Sequence, residues 1–407
     1  MAAKATTAPI SEIGYVTEST NFWTPDLETT PELMWPLSLE VFDRMARQDS
    51  QVRSILQAIT LPVRRTTWRL DPNGASPEVT QLVAEDLRLP VVGGTDGQPK
   101  GRSRGRFSFP EHLRLALLYT KFGNMFFEQN YRIDEQGRAR LRKLAPRMPR
   151  TISEITVARD GGLESIQQAG VDKPIPVSQL VAYVLDADPG DWRGNSVLRT
   201  AYKNWLIKDR LLRVQAQTIE RNGMGVPVYE AGEKDDQPQL EAGQKIATSY
   251  KAGAASGAAL PYGAKLRLLG VEGNLPDALP AINYHDDQIA KAVLAHFLNL
   301  GKQTGSWALG TTFADFFIFS LQTLADQVCD TFNQHVVEDL VDINFGEDEP
   351  APLVVFDEIG SQYAAVADAL KMLVDAGLLD PDEAVKAAVR QAYSLPAKPA
   401  SPEGDTA

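Results

Sequence analysis

Apolar residues recur along this chain with two different periods, and the change from one to the other divides it. Over residues 39–59, Val41, Met45, Val52, Ile55, Leu56 and Ile59 return every three to four positions, which predicts one helix closed by Leu61-Pro62. Residues 64–70 have strand character around Trp68 and stop at the turn signal Asp71-Pro72-Asn73-Gly74. A short helix is predicted over 77–87. Another starts at Phe109-Pro110-Glu111 and runs through Leu113, Leu117 and Leu118 to Phe122-Gly123. Past Gly123 the texture changes to strands: NMFFEQNYRI, ARLRKLAPR, TISEITVARD, LESIQQAG and residues 180–185, parted by turns such as DEQG and Gly161-Gly162. The first half therefore reads as a helix-then-sheet α+β body.

The second half is mostly helical. Residues 191–230 open on a turn (Asp191, Gly194, Asn195) and predict a long amphipathic helix, cationic on one side. It is expected to break at Asn222-Gly223-Met224-Gly225 before the apolar run Val226-Pro227-Val228-Tyr229. A helix follows over 237–250, then a loose small-residue stretch, then a short β-like insert at 265–269 with the neighbouring Leu275-Pro276. Residues 286–300 predict a helix with Ile289, Val293, Phe297 and Leu300 on one face, and Asp286 and Asp287 suit the positive end of its dipole. A glycine-punctuated loop at 301–310 precedes a helix over 313–341. Phe313, Phe317, Leu321, Leu324, Val328, Phe332, Val336 and Leu340 keep helical spacing there. At 1.5 Å per residue it would be about 40 Å long, more than a small domain needs.

Composition changes the picture in three ways. A net charge of −12 argues against a general nucleic-acid binder. The single cysteine, Cys329, excludes a disulfide framework and reads as a packed apolar residue in a reducing compartment. No apolar run is long enough for a membrane span, so a soluble protein made in the cytoplasm is expected. The charge is also uneven. Residues 100–150 carry 13 Lys+Arg against 4 Asp+Glu (+9), and residues 301–407 carry 5 against 18 (−13). Such asymmetry fits surfaces that face different partners, or two solvated faces.

The search for chemistry finds little. The chain has no phosphate-binding GxxxxGK[ST] loop, no GxGxxG, no GxSxG elbow and no HExxH. His285-Asp286-Asp287 with His296 has the residue types of a metal site, but helix-start carboxylates account for the aspartates. Glu338, Asp339 and Asp342 read as a solvated helix face more simply than as a cation cluster. The 301–310 loop lacks the order of a phosphate cradle, and Lys302 with Trp307 suits transient contact with a polyanion. No cofactor, metal or catalytic residue is nominated.

Four stretches in order along the chain carry a family likeness. They are SILQAITLPVRRTTWRL (54–70); FGNMFFE (122–128) with RMPRTISEITVARDGGLESIQQ; DWRGNSVLRTAYKNWLIKDRLLRVQAQTIERNGMGVPV (191–228); and the helix–loop–helix of 286–341. Over roughly residues 40 to 380 the chain resembles tailed-bacteriophage portal proteins of the siphophage type. The resemblance implies disordered ends at 1–20 and 396–407, a wing at 21–232, a first stem helix at 233–251 and a clip at 252–285. It further implies a second stem helix at 286–300, a tunnel loop at 301–312, a long helix and wing return at 313–356, and a helical crown at 357–395.

It also implies a dodecameric ring at the capsid vertex of a virion, made in the host bacterial cytoplasm, with no enzymatic activity. Double-stranded DNA would be packaged and ejected through it. Its partners would be terminase, a head–tail adaptor, major capsid protein and scaffold, with no membrane. Lys302, Gln303, Thr304, Gly305, Ser306 and Trp307 would face DNA in the tunnel, with Lys245, Lys251 and Lys265 as stem and clip channel candidates. Arg138, Arg140, Arg142, Lys143 and Arg147 would form a basic wing surface for capsid or other partners. Two rivals stay open: another head-morphogenesis or adaptor protein, and a metal-dependent nuclease built on the carboxylates of 337–342.

Overall fold

The computed structural model describes residues 28–94, 105–224, 226–232, 237–249, 259–260, 262–269, 277–293 and 307–360. The chain is mixed helix and strand in two compact units. One comprises residues 1–200 and 292–407, the other residues 201–291.

In the larger unit, α1 (Leu37–Gln48) and α2 (Ser50–Arg65) replace the single helix expected. Asp49 parts them. Its side chain accepts from the backbone N–H of Gln51 (2.8 Å) and Val52 (3.1 Å), capping α2. Pro62 does not end α2; it sits inside the last turn and its carbonyl accepts from Thr66. Strand β1 (Trp68–Asp71) follows, then α3 (Pro77–Leu87) as predicted, started by Ser76, whose hydroxyl accepts from Val79. Short helices α4 (Phe109–Ala116) and α5 (Tyr119–Phe122) lead to β2 (Asn124–Ile133) and β3 (Ala139–Arg147), both as predicted.

Strands β4 (Ile152–Val157), β5 (Leu163–Gln168) and β6 (Ile175–Pro176) form one small antiparallel sheet. The other has the order β3-β2-β7, with β7 spanning Leu180–Val184. Phe126 and Leu180 of the second pack on Ile152, Leu163 and Ile166 of the first. The middle strand begins with four buried residues, Asn124 to Phe127, so it lies in the core of the unit.

The smaller unit contains α6 (Tyr202–Met224), β8 (Val226–Glu230), α7 (Gln237–Ser249), β9 (Lys265–Leu269) and α8 (Leu279–Lys291). Helix α6 runs through Asn222–Met224, where a break was expected. Strands β8 and β9 pair antiparallel, from Val226 opposite Leu269 to Glu230 opposite Lys265. Helix α7 lies on β8 through Gly243, where an added Cβ would fall 2.1 Å from the Tyr229 ring. Helix α8 starts seven residues before the position predicted, because Asp277 caps it: its carboxylate accepts from Leu279 N–H at 2.9 Å. Asp286 therefore sits mid-helix, not at a helix start. It pairs with Lys208 of α6 at 2.5 Å, beside the 3.0 Å contact of His285 Nδ1 with Asn204 Oδ1.

Back in the larger unit, α9 (Trp307–Phe332) passes through a π turn (Asn333–Val337) into α10 (Glu338–Phe345). The 39 residues form one helix of about 58 Å at 1.5 Å per residue. It starts six residues earlier and ends four later than predicted, so Trp307–Thr312 belong to a helix and not to a loop. The chain then returns as β10 (Leu353–Phe356), antiparallel to β1, with Trp68 opposite Phe356.

Candidate functional site

The long helix is fastened by amide side chains, and its π turn is where the fastening concentrates. Asn333 donates to Val354 O (3.0 Å) and accepts from Val354 N–H (2.7 Å), so it pairs with β10 as a strand peptide would. Asn344 does the same to Ala139 at the start of β3, at 2.9 and 2.8 Å. Gln129 of β2 donates at 2.6 Å both to the His335 carbonyl within the π turn and to Asp339. A π turn inserts one residue into the helical ladder and frees backbone groups for such outside partners. Cys329 is buried one turn earlier, and burial pushes its thiol up to about 12. That agrees with a packed, unreactive role.

A second lock joins two of the stretches that carried the family likeness. Gly123 (φ +94°) ends α5, and Gly194 (φ +64°) lies in the turn of 191–195. A Cβ on Gly123 would lie 2.7 Å from the carbonyls of Arg193 and Gly194, and one on Gly194 would lie 2.4 Å from Gly123 O. Only two glycines allow the backbones this close. Asn124 Nδ2 donates to Arg193 O (2.7 Å), Ser196 Oγ to Lys121 O (2.5 Å) and Val197 N–H to Thr120 O (3.0 Å). The turn leading into α6 is thereby held against the start of β2.

The basic wing residues divide into two kinds. Arg140 is largely buried and pairs with Asp86 and Glu85 at 2.9 Å each, with Asp134 at 3.8 Å. Asp86 also accepts from Leu141 N–H at 2.8 Å, although burial still holds its carboxyl above its ordinary range. Arg138 pairs with Glu78, and Arg147 with Glu128. Arg142 and Lys143 are exposed and carry no ion pair among the described residues. Three of the five expected partner-facing cations are thus committed within the chain, which the sequence could not show because their partners Glu78, Glu85 and Asp86 lie on α3 and Glu128 on β2.

Among the channel candidates, Lys245 on α7 and Lys265 on β9 are exposed, and neither has an ion pair among the described residues. Lys251 and Lys302, Gln303, Thr304, Gly305 and Ser306 lie outside the described residues, as does His296. Trp307 opens α9, but its side chain lies outside them as well. No group of three or more His, Cys, Asp or Glu among the described residues could hold a metal ion. Asp339, expected to be solvated, is half-buried against Gln129, and burial raises its carboxyl. Likewise, no helix of the described residues is long and apolar enough to cross a membrane.

The smaller unit carries the feature that motif reading missed. Among the described residues it exposes twelve large apolar side chains and buries six apolar residues; the larger unit exposes ten and buries 52. On α6, Trp205 and Lys208 are buried, while Leu206, Ile207 and Val214 on the other side of the helix are exposed. A helix apolar on both sides needs two neighbours.

Comparison with known proteins places this architecture. The chain is similar to a chain in the neck of an empty gene transfer agent particle computed with C6 symmetry. The TM-score is 0.58 at 11% identity, covering 86% of this chain and 93% of that one. It is similar to a chain of the native gene transfer agent virion, at 0.56 and 12%, covering 86% and 92%. A chain from the native particle's neck computed with C12 symmetry gives the same values. These likenesses carry the fold. The family model described as the portal protein of Mu bacteriophage matches residues 39–395. The chain belongs to that portal protein family.

Proposed function

We propose that copies of this chain close into a ring, a dodecamer, in which the smaller unit of each copy packs against its neighbours around a central channel. As a portal protein the chain is the connector between a phage head and its tail. The observation that carries the ring is the apolar surface that the described residues of 201–291 leave exposed. Exposed apolar area on this scale marks an interface, and a repeated head-to-tail contact that closes makes a ring. Charge supports the same reading. Residues 201–291 hold 11 Lys+Arg and 11 Asp+Glu, so the whole net charge of −12 lies elsewhere. Neutral surfaces stack without the repulsion that a dozen acidic chains would otherwise meet.

In this reading double-stranded DNA passes through the ring during packaging and ejection. Lys245, Lys251, Lys265 and residues 302–307 supply brief phosphate contacts on an otherwise acidic protein. Few cations suit a wall that must let DNA slide, since each neutralised phosphate adds affinity. Terminase during packaging, and afterwards the head–tail adaptor, dock on the ring at the capsid vertex of a virion assembled in the bacterial cytoplasm. Arg142 and Lys143 are left to meet capsid protein or scaffold. The role is structural, with no reaction assigned to the chain.

Negative-stain imaging of the purified full chain tests this: twelvefold rings with a central hole are expected. Monomers or dimers at micromolar concentration would overturn it, and magnesium-dependent cutting of DNA would favour the nuclease reading instead. Leu206→Glu with Val214→Glu should abolish the rings while leaving the folded chain intact by circular dichroism.

A further inference from the structure

We infer that Arg106, Arg142 and Lys143 form one cationic ledge at the edge of β3, built to receive a carboxylate-rich segment of a protein partner. This rests on the reading that leaves Arg142 and Lys143 to capsid protein or scaffold. It adds a third residue and the chemistry of the partner.

An irregularity in the strand makes the ledge. On β3, Lys143 lies opposite Asn130 and Leu141 opposite Tyr131, so Arg142 has no partner on β2. It is the extra residue of a β-bulge. A regular strand turns successive side chains to opposite faces, so one of Arg142 and Lys143 would point inward. The bulge breaks that alternation. Leu141 and Leu144 are buried, while Arg142 and Lys143 between them are both exposed. Placing two cations side by side on an interrupted ladder does nothing for the stability of the sheet.

The third cation comes from another part of the chain. Strand β3 is an edge strand, and the backbone N–H of Arg106 donates to Arg142 O at 2.6 Å on its outer side. Gly105 permits this approach: an added Cβ would fall 2.9 Å from both Leu141 O and Arg142 O. Arg106 is exposed like the other two, and none of the three has an ion pair among the described residues. The neighbouring carboxylates are already engaged. Glu78 pairs with Arg138, Glu85 and Asp86 with Arg140, and Glu128 with Arg147, which accounts for every carboxylate of α3, β2 and β3. The ledge is left for an anion from outside the chain.

Its compactness says which anion. Proteins that hold duplex DNA by charge spread about six to ten cations along its backbone. Here three stand together, and the flanking Arg138, Arg140 and Arg147 are occupied. Two of the three are arginines, whose planar forks match carboxylates. Arg140 already holds Asp86 that way on the same strand. A short acidic stretch of protein matches this footprint.

The test uses the full chain and a dye-labelled decaglutamate peptide, followed by fluorescence anisotropy at low salt. Saturable binding is expected, and it should weaken as salt rises. Arg106→Gln with Arg142→Gln should weaken it at least about fivefold, and Lys143→Gln about twofold, the scale of exposed ion pairs. Arg64→Gln with Arg65→Gln, the same loss of charge at exposed positions on α2, should leave it unchanged. No binding, or equal weakening by both double variants, would overturn the proposal. So would a short DNA duplex bound more tightly than the peptide through the same three residues. Uptake of the Arg106→Gln, Arg142→Gln variant into heads separates the proposal from the reading beneath it. Impaired uptake with unaltered peptide binding overturns the carboxylate chemistry and keeps that reading; normal uptake with lost peptide binding overturns the reading.

Discussion

The larger unit and the smaller one solve opposite problems with the same kinds of residue. The larger unit buries its apolar side chains and fastens its helices with amides and ion pairs. The smaller unit leaves apolar side chains uncovered on α6, β9 and α8. One is built to be stable as a single chain, and the other to be completed by something else. The difference shows in charge as well, since residues 201–291 have no net charge and the whole net negative charge lies in the rest. Changes in the larger unit should therefore be felt in folding, and changes in the smaller one in assembly.

The largest expected effect is at Arg140. Its guanidinium is 14% exposed and serves Asp86, 5% exposed, together with Glu85. Arg140→Ala leaves the Asp86 carboxylate buried without its cation, which typically costs about 3 kcal/mol. Denaturant unfolding should show that loss. A change under about 1 kcal/mol would mean that solvent reaches Asp86 and that the larger unit is less self-contained than its geometry indicates. Leu206→Glu in α6 should do the reverse, altering single-chain unfolding by less than about 0.5 kcal/mol while weakening assembly.

Acid gives the next effect. His112 is fully buried among Phe107, Phe127 and Phe332, with Nε2 2.9 Å from the Tyr183 hydroxyl. Burial lowers its pKa from 6.5 to about 3. The folded state therefore holds this ring neutral where the unfolded chain protonates it. Stability is fully present above pH 6.5 and falls as pH drops from there toward 3. The slope is about 1.4 kcal/mol per pH unit, hence about 2 kcal/mol between pH 6.5 and 5. Buried Asp86 and Asp339 work in the opposite sense, since raised carboxyls favour the folded state once protonated, so the His112 contribution is read from the difference between the chain and its His112→Gln variant. Melting of the larger unit followed from pH 7 to 5 should show the decline, and His112→Gln should flatten it. An equal slope in both proteins would assign the acid sensitivity elsewhere.

Much of this was legible from pattern alone, and the failures share a cause. Strands β2 and β3 and helix α3 lie where predicted, because glycine, proline and capping residues mark their ends. The α1–α2 break was missed although Asp49-Ser50 is itself a capping signal. Apolar spacing puts the start of α8 at Asp286, whereas Asp277, with Pro280 in the first turn, is the better signal. In both places apolar spacing runs on across the capping residue and hides the true helix end. The π turn left no sequence signal, since its partners Gln129 and Val354 are distant in sequence. The same holds for the candidate site. Cations could be found by counting, but only packing shows that Arg138, Arg140 and Arg147 are occupied while Arg142 and Lys143 have no ion pair among the described residues.

That division sets the smallest effect on stability and the sharpest separation of roles. Arg142→Glu with Lys143→Glu removes no ion pair among the described residues, so unfolding should shift by less than about 0.5 kcal/mol. The two side chains lie on β3 in the larger unit, so ring formation should also persist. What should change is incorporation into heads, because reversing two exposed cations alters only what an outside partner meets. Reversing Arg140 alongside them would confound the test by unfolding the protein. If heads take up the double variant as readily as the unaltered chain, the basic stretch is a solvated face of a self-sufficient unit. The asymmetry between the units would then be complete, with every outward-facing role resting on the smaller one.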